Sequence, residues 1–329
     1  MTATGWSLNV AFALAALALL YVGAEWLVRG AASLARRMYI RPIVIGLTVV
    51  AFATSAPELV VGLTSAIQSR TAADATIAHV AVGDVLGANV ANIGLIIGIS
   101  ALIRPLRVRR STWRRDVPAA LAVHLLLLVF CLDGRLDPWE GMLLILGFLG
   151  FVAYLVRRAR DSRRAESAGE SGSKRPRLAT SVAWVAAGVA ALALGGNLLV
   201  GSALAIAKAA GISNLTIGIT MVALLTTVPE LATSTVAARR GESDLSIGNA
   251  VGSILFNGAL VLGLAAVVAP IHIGPEVTHT RLPAVIALLL LLLLLMRSGL
   301  RVTRLEGAGL LACYLLFTAY CLLAGSVGY

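Results

Sequence analysis

The sequence predicts an all-α membrane protein, with ten transmembrane helices in two inverted five-helix repeats. Three observations point there. Of the 329 residues 59% are hydrophobic and only 13% charged, where soluble domains average about a quarter charged. Residues 285–296, Val-Ile-Ala followed by eight leucines and Met, carry no polar side chain. Two polar segments also recur later in the chain at a nearly constant spacing.

A helix needs ~20 apolar residues to cross a bilayer, fewer with anchoring flanks. Such runs fall at about 7–28, 42–67, 78–103, 117–132, 138–157, 179–209, 213–238, 245–270, 282–297 and 305–326. They are continuous and do not alternate, which excludes a barrel. Residues 7–28 lack a basic leader and run on into further structure, so they read as the first span and not as a cleaved signal. Residues Arg157 to Arg177 are rich in Arg, Ser, Glu and Gly and read as a flexible loop. The chain then divides into a first repeat (1–157), a basic loop (158–178) and a second repeat (179–329).

The net charge of +11 lies in the loops between apolar segments and not in a soluble basic domain, which argues against nucleic-acid binding. Of the 27 Lys and Arg residues, 23 flank the loops after spans one, three, five, seven and nine. The positive-inside rule puts those loops in the cytosol, with both termini outside and the 158–178 loop inside. Cys131, Cys313 and Cys321 match no metal-ligand spacing and read as small packing residues.

The internal repeat is the most informative feature. Residues 46–59, GLTVVAFATSAPEL, align with 218–231, GITMVALLTTVPEL, at an offset of 172. Gly83, Gly87, Asn92, Gly98 and Pro105 align with Gly248, Gly252, Asn257, Gly263 and Pro270 at an offset of 165. Five spans per copy force the second copy to enter the membrane upside down. Transporters built this way bind their cargo near the midplane, between the repeats.

Glu58 and Glu230 lie inside apolar spans at matching repeat positions. A charged acidic residue at a helix centre costs about 3 kcal/mol on insertion scales, so a matched pair points to a shared cation site. Pro57 and Pro229 precede them and break the helical bonding, with the carbonyls of Ala53 and Leu225 four residues back. Thr54 and Thr226 share a helical face with the glutamates, and Ser55 and Thr227 adjoin them. Such an oxygen-rich set suits hard cations such as Ca²⁺ and Na⁺, and the absence of Cys and His argues against zinc or copper. Asn92 and Asn257 form a second matched pair, a neutral ligand or an interhelical hydrogen bond. Ser253 adds a hydroxyl whose counterpart, Ala88, has none. The glycines beside them signal close helix packing. His124 reads as a packed or hydrogen-bonded histidine, and Glu25 with Arg29 as a local ion pair.

At these residues the chain resembles the sodium/calcium exchanger family of the cation/calcium exchanger superfamily. The resemblance covers both halves and is strongest at 46–66, 83–105, 218–238 and 248–270. It implies ten helices and a central site formed by spans two, three, seven and eight. It implies that Glu58 and Glu230 bind Ca²⁺ and Na⁺ in alternation, with backbone carbonyls from Thr54 and Thr226. Ser55, Thr227, Ser253 and the carbonyls of Ala51 and Ala223 match flanking Na⁺ positions, and Asn92 and Asn257 the remaining central ones. It implies no enzyme activity, no cofactor and no obligate protein partner beyond the lipid bilayer. The short central loop resembles prokaryotic members in a plasma (inner) membrane. Three residues depart from the family pattern. Ala53 replaces a usual Gly, Ala88 a usual Ser, and Asn257 stands where potassium-dependent relatives carry Asp. The departure at Ala88 leaves room for H⁺ in place of Na⁺ as the coupling ion. A cation channel with a carboxylate ring keeps the same features but would need no counter-ion. An intramembrane enzyme lacks support, since no Ser-His, Cys-His or His-rich constellation is present.

Overall fold

A computed structural model describes residues 3–72, 79–166, 177–209 and 226–327. The described residues are overwhelmingly helical. The chain runs through α1 (Ala3–Met38), α2 (Pro42–Thr54), α3 (Ala56–Ala72), α4 (His79–Ile103), α5 (Thr112–Asp133) and α6 (Pro138–Glu166). The second half continues with α7 (Leu178–Ala209), α8 (Val228–Arg240), α9 (Ser243–Val268), α10 (Val277–Arg297) and α11 (Arg304–Val327). Eight of these are long and apolar enough to span a membrane, and α2 with α3 form a ninth span bent by 50°. The remaining expected span, the seventh at 213–238, falls outside the described residues up to 225 and then continues as α8.

Two helices lie at the centre. The apolar windows of α4 and α9 are 72% and 78% buried, while those of the remaining full-length spans are 11–33% buried. The outer helices turn leucines such as Leu14, Leu294 and Leu316 outward. A soluble protein would hide so many, and a bilayer welcomes them. Arg109, just past the end of α4, pairs with Asp244 at the start of α9 (2.5 Å), so the two central helices run antiparallel.

Short strands tie the loops together. β1 (Leu106–Arg107) pairs antiparallel with β4 (Arg301–Val302), and β2 (Arg135–Leu136) with β3 (Ile271–His272). Leu106 and Ile271 are 165 residues apart, and Leu136 and Val302 166 apart, so the two ties are repeat-related. The same relation links two backbone contacts. A Cβ on Gly98 would lie 2.9 Å from the Gly307 carbonyl, and one on Gly263 2.8 Å from that of Gly141. The expectation that small residues serve close packing holds at Gly248, where a Cβ would lie 3.0 Å from the Ile43 carbonyl of α2.

α1 and α7 form a separate pair along the flank. A Cβ on Gly188 would come within 2.5 Å of the Leu27 nitrogen, and one on Gly30 within 2.7 Å of the Val185 nitrogen. Trp26 and Trp184 pack against one another with ring centroids 5.8 Å apart.

One expectation needs correction and another is extended. The loop from Arg157 begins later, because α6 continues as helix to Glu166. Arg, Ala and Glu are good helix formers, so the helix outlasts the apolar run. Residues 167–176 lie outside the described residues. Glu25 lies 3.9 Å from Arg29, but its closer partners are Arg239 (3.1 Å) and Arg240 at the end of α8. The pair expected within one helix forms, and the two α8 arginines extend it into a clamp between α1 and α8.

Candidate cation site

Each glutamate sits where a half-helix begins. α2 ends at Ser55 (φ −84°, ψ 12°), and α3 restarts with Pro57 and Glu58 in its first turn. α8 starts after Thr227 (φ −80°, ψ −4°), again with Pro and Glu in the first turn. Proline fits there because first-turn N–H groups have no helical partner to lose. The same unpaired N–H groups favour an acidic residue in that turn. The opening expected at Ala53 therefore lies at Ser55, since Pro57 starts a new helix and does not interrupt an old one. The Ala51 carbonyl accepts the Ser55 N–H at 2.9 Å and faces the Thr54 hydroxyl at 3.3 Å. Leu225 and the candidate Ala223 lie outside the described residues.

The polar side chains converge between the breaks and are buried. Thr54, Ser55, Glu58, Asn92, Glu230, Ser253 and Asn257 are 0% exposed, Thr227 1% and Thr226 7%. Ser55 Oγ lies 2.9 Å from Glu230 Oε1 and 2.9 Å from Ser253 Oγ. Ser55 carries a single hydrogen, so these two contacts share one donor. Thr54 Oγ1 lies 3.0 Å from Asn249 Oδ1, and Thr226 Oγ1 3.3 Å from Asp84 Oδ1. Neither Glu58 oxygen receives a hydrogen bond of ordinary geometry, although Thr226 is near enough to interact with it. Glu230 Oε2 also has no partner.

The asparagines are held with their oxygens unengaged. Asn92 Nδ2 donates to the Ala88 carbonyl at 3.0 Å, leaving Oδ1 without a partner. Asn257 is set by a relay. His124 Nδ1 lies 2.8 Å from the Ala120 carbonyl and must donate to it, so Nε2 of the neutral ring is an acceptor. Asn89 Nδ2 donates to that Nε2 at 2.9 Å, and Asn89 Oδ1 accepts from Asn257 Nδ2 at 3.3 Å. Asn257 Oδ1 is left unpaired. The packed histidine of the sequence reading thus orients a site residue. Both asparagines lie at the start of π-helical turns, Asn92 first in Asn92–Ile97 and Asn257 second in Phe256–Val261, a distortion common at functional sites.

Three residues of this cluster were not expected from the sequence: Asp84, Asn249 and Asn89. An acidic residue six positions into a buried span was signal enough for Asp84. Among the described residues no ion pair involves Glu58, Glu230 or Asp84. Buried carboxyl and amide oxygens without donors form an acceptor-rich pocket, whose complement is a hard cation.

The family model for sodium/calcium exchanger proteins matches residues 8–157 and 180–323, one segment in each half. The putative antiporter CaxA of Alkalimonas amylolytica is 38% identical over 94% of this chain and 98% of its own length. The sodium/calcium exchanger MaX1 of Methanosarcina acetivorans is 28% identical over 94% and 97%. A solved structure of the sodium-calcium exchanger NCX_Mj superposes with a TM-score of 0.81 at 28% identity, covering 95% of this chain and 99% of that one. The chain is an integral membrane protein and belongs to the sodium/calcium exchanger family of cation antiporters.

Proposed function

We propose that the protein exchanges Na⁺ for Ca²⁺ by alternating access at a midplane site centred on Glu58 and Glu230. One observation carries the reading. Two repeat-matched glutamates are fully buried at the starts of half-helices, and three of their four carboxylate oxygens lack a hydrogen-bond partner. Two carboxylates balance one Ca²⁺ or two Na⁺. The filled site is near neutral, whereas an empty one holds two unpaired charges in the bilayer. Crossing while empty is therefore costly, which enforces exchange. The carbonyls of Thr54 and Thr226 join the glutamates at the Ca²⁺ position, Ser55, Thr227, Ser253 and the carbonyls of Ala51 and Ala223 supply flanking oxygens for Na⁺, and Asn92 and Asn257 supply amide oxygens.

The repeats at 1–157 and 179–329 act as the two inverted halves of the carrier. Both termini lie outside a prokaryotic inner membrane, with the 158–178 loop in the cytosol. An inward Na⁺ gradient then drives Ca²⁺ out.

The test is Ca²⁺ uptake into Na⁺-loaded proteoliposomes diluted into Na⁺-free buffer, with a pH gradient as the comparison. Uptake that requires internal Na⁺ supports the reading. Uptake driven by pH alone makes the protein a Ca²⁺/H⁺ exchanger, and uptake indifferent to both gradients makes it a channel.

A further inference from the structure

The two central helices are not equivalent. At the offset of 165, Asp84 on α4 corresponds to Asn249 on α9, and Ala88 to Ser253. The two differences are four residues apart, so they share one helical face. Relative to α9, α4 has lost a hydroxyl and gained a carboxylate on the face that lines the site.

The hydrogen bonds say what that exchange does. Asn249 is fully engaged. Its Oδ1 lies 3.0 Å from Thr54 Oγ1, and its Nδ2 donates to the Glu230 carbonyl (3.3 Å) and to Ser234 Oγ (2.9 Å). On α4 the matching Thr226–Asp84 contact persists at 3.3 Å. Asp84 Oδ2, however, replaces the donating amide and has no hydrogen-bond partner. By the repeat relation its counterpart neighbours are the Glu58 carbonyl, an acceptor, and Gly62, which has no hydroxyl where α8 has Ser234. An acceptor set against an acceptor is unfavourable unless a cation lies between them.

Asp84 is 5% exposed. The Arg281 guanidinium packs by neighbouring Gly83, yet Asp84 forms no ion pair among the described residues. Glu58 and Glu230 lie within electrostatic reach of Asp84, so a third carboxyl stands beside the pair. Among the described residues no three acidic, His or Cys side chains converge on one point, so Asp84 does not join the glutamates around a single ion.

We propose that Asp84 holds a Na⁺ of its own, one helical turn from Ala88, in the half where Glu58 lacks the hydroxyl chain that serves Glu230. The assignment rests on the Na⁺/Ca²⁺ exchange proposed above. A carboxylate with the Thr226 hydroxyl beside it offers oxygen ligands to a hard monovalent cation. The added ion balances the added charge while the glutamate pair handles Ca²⁺. Because α4 and α9 are antiparallel, Asp84 lies toward one membrane face and Asn249 toward the other, so this ion enters a one-sided site.

The experiment uses the full chain in vesicles, with Ca²⁺ uptake titrated against internal Na⁺. The variant is Asp84→Asn, a side chain that the other half already carries at Asn249. The expected result is a loss of apparent Na⁺ affinity of about tenfold or more and a fall of about one in the Na⁺ Hill coefficient. Ca²⁺–Ca²⁺ exchange without Na⁺ should continue, and adding Ala88→Ser to Asp84→Asn should recover part of the Na⁺ affinity. An unchanged Na⁺ affinity and Hill coefficient would reduce Asp84 to an acceptor for Thr226 and overturn the assignment. Loss of Ca²⁺–Ca²⁺ exchange would overturn it as well, by placing Asp84 at the Ca²⁺ position or in the fold. Wild-type uptake that follows pH and ignores Na⁺ would bring down the exchange reading itself, and that result is read before any variant is made.

Discussion

Glu58 and Glu230 hold the same register in their repeats but live in different surroundings. Glu230 receives the Ser55 hydroxyl, which also contacts Ser253, and its backbone carbonyl is held by Asn249. Glu58 has neither oxygen in a normal hydrogen bond, an alanine where the other half has Ser253, and Asp84 within electrostatic reach. One half is pre-wired by neutral donors, and the other is left acceptor-rich. Inverted repeats give a protein two copies of a site, and single substitutions then let the copies diverge.

The largest effect should come from removing either charge. Glu58→Gln and Glu230→Gln should each lower Ca²⁺ uptake by about a hundredfold or more, in line with breaking a buried charged contact. Full transport by both variants would sink the site. Next is Asn249→Asp, which makes α9 resemble α4. Aspartate cannot donate to the Glu230 carbonyl or Ser234, so unfolding in detergent should come easier by about 1–3 kcal/mol. A melting temperature equal to wild type would mean that the two positions are interchangeable after all. Ser253→Ala should remove the hydroxyl that contacts Ser55 beside Glu230 and weaken Na⁺ activation by roughly three- to tenfold, the worth of about one hydrogen bond. If Na⁺ activation does not move, that hydroxyl chain is structural only. The smallest change should follow His124→Gln, which can still present an acceptor to Asn89. Half-saturation by Ca²⁺ should shift less than about threefold, whereas His124→Phe, which leaves the amide unpaired, should shift it further. Equal effects from the two would break the relay.

The shared architecture was legible because identical residues recur at fixed offsets. Pro57–Glu58 with Pro229–Glu230, and Asn92 with Asn257, announce themselves by repetition. What differs between the halves is harder to see for the same reason. Asp84 and Asn249 align in register but not in chemistry, so a search for identities passes over both. His124 has no acidic neighbour at helical spacing, because its partner Asn89 lies on another helix, 35 residues away. Glu25 looks like half of an i,i+4 pair, while its nearer partners lie more than 200 residues on. Hydropathy marks where the bilayer ends and not where α6 ends, which hid the helical stretch to Glu166.

The contact between α1 and α7 has a mechanical consequence. Gly23, Gly30 and Gly188 bring backbone against backbone, with less room than a methyl group needs. Sliding one helix past the other by a single residue, ~1.5 Å, would drive neighbouring side chains such as those of Leu27 and Ala191 into those gaps. The two helices must therefore travel as one piece. One comes from each repeat, and the repeats are inverted. On the alternating-access reading proposed above, a single displacement of the pair would uncover one mouth of the pathway as it shuts the other. The two gates would then share one coordinate, with no position along it for a through-leak.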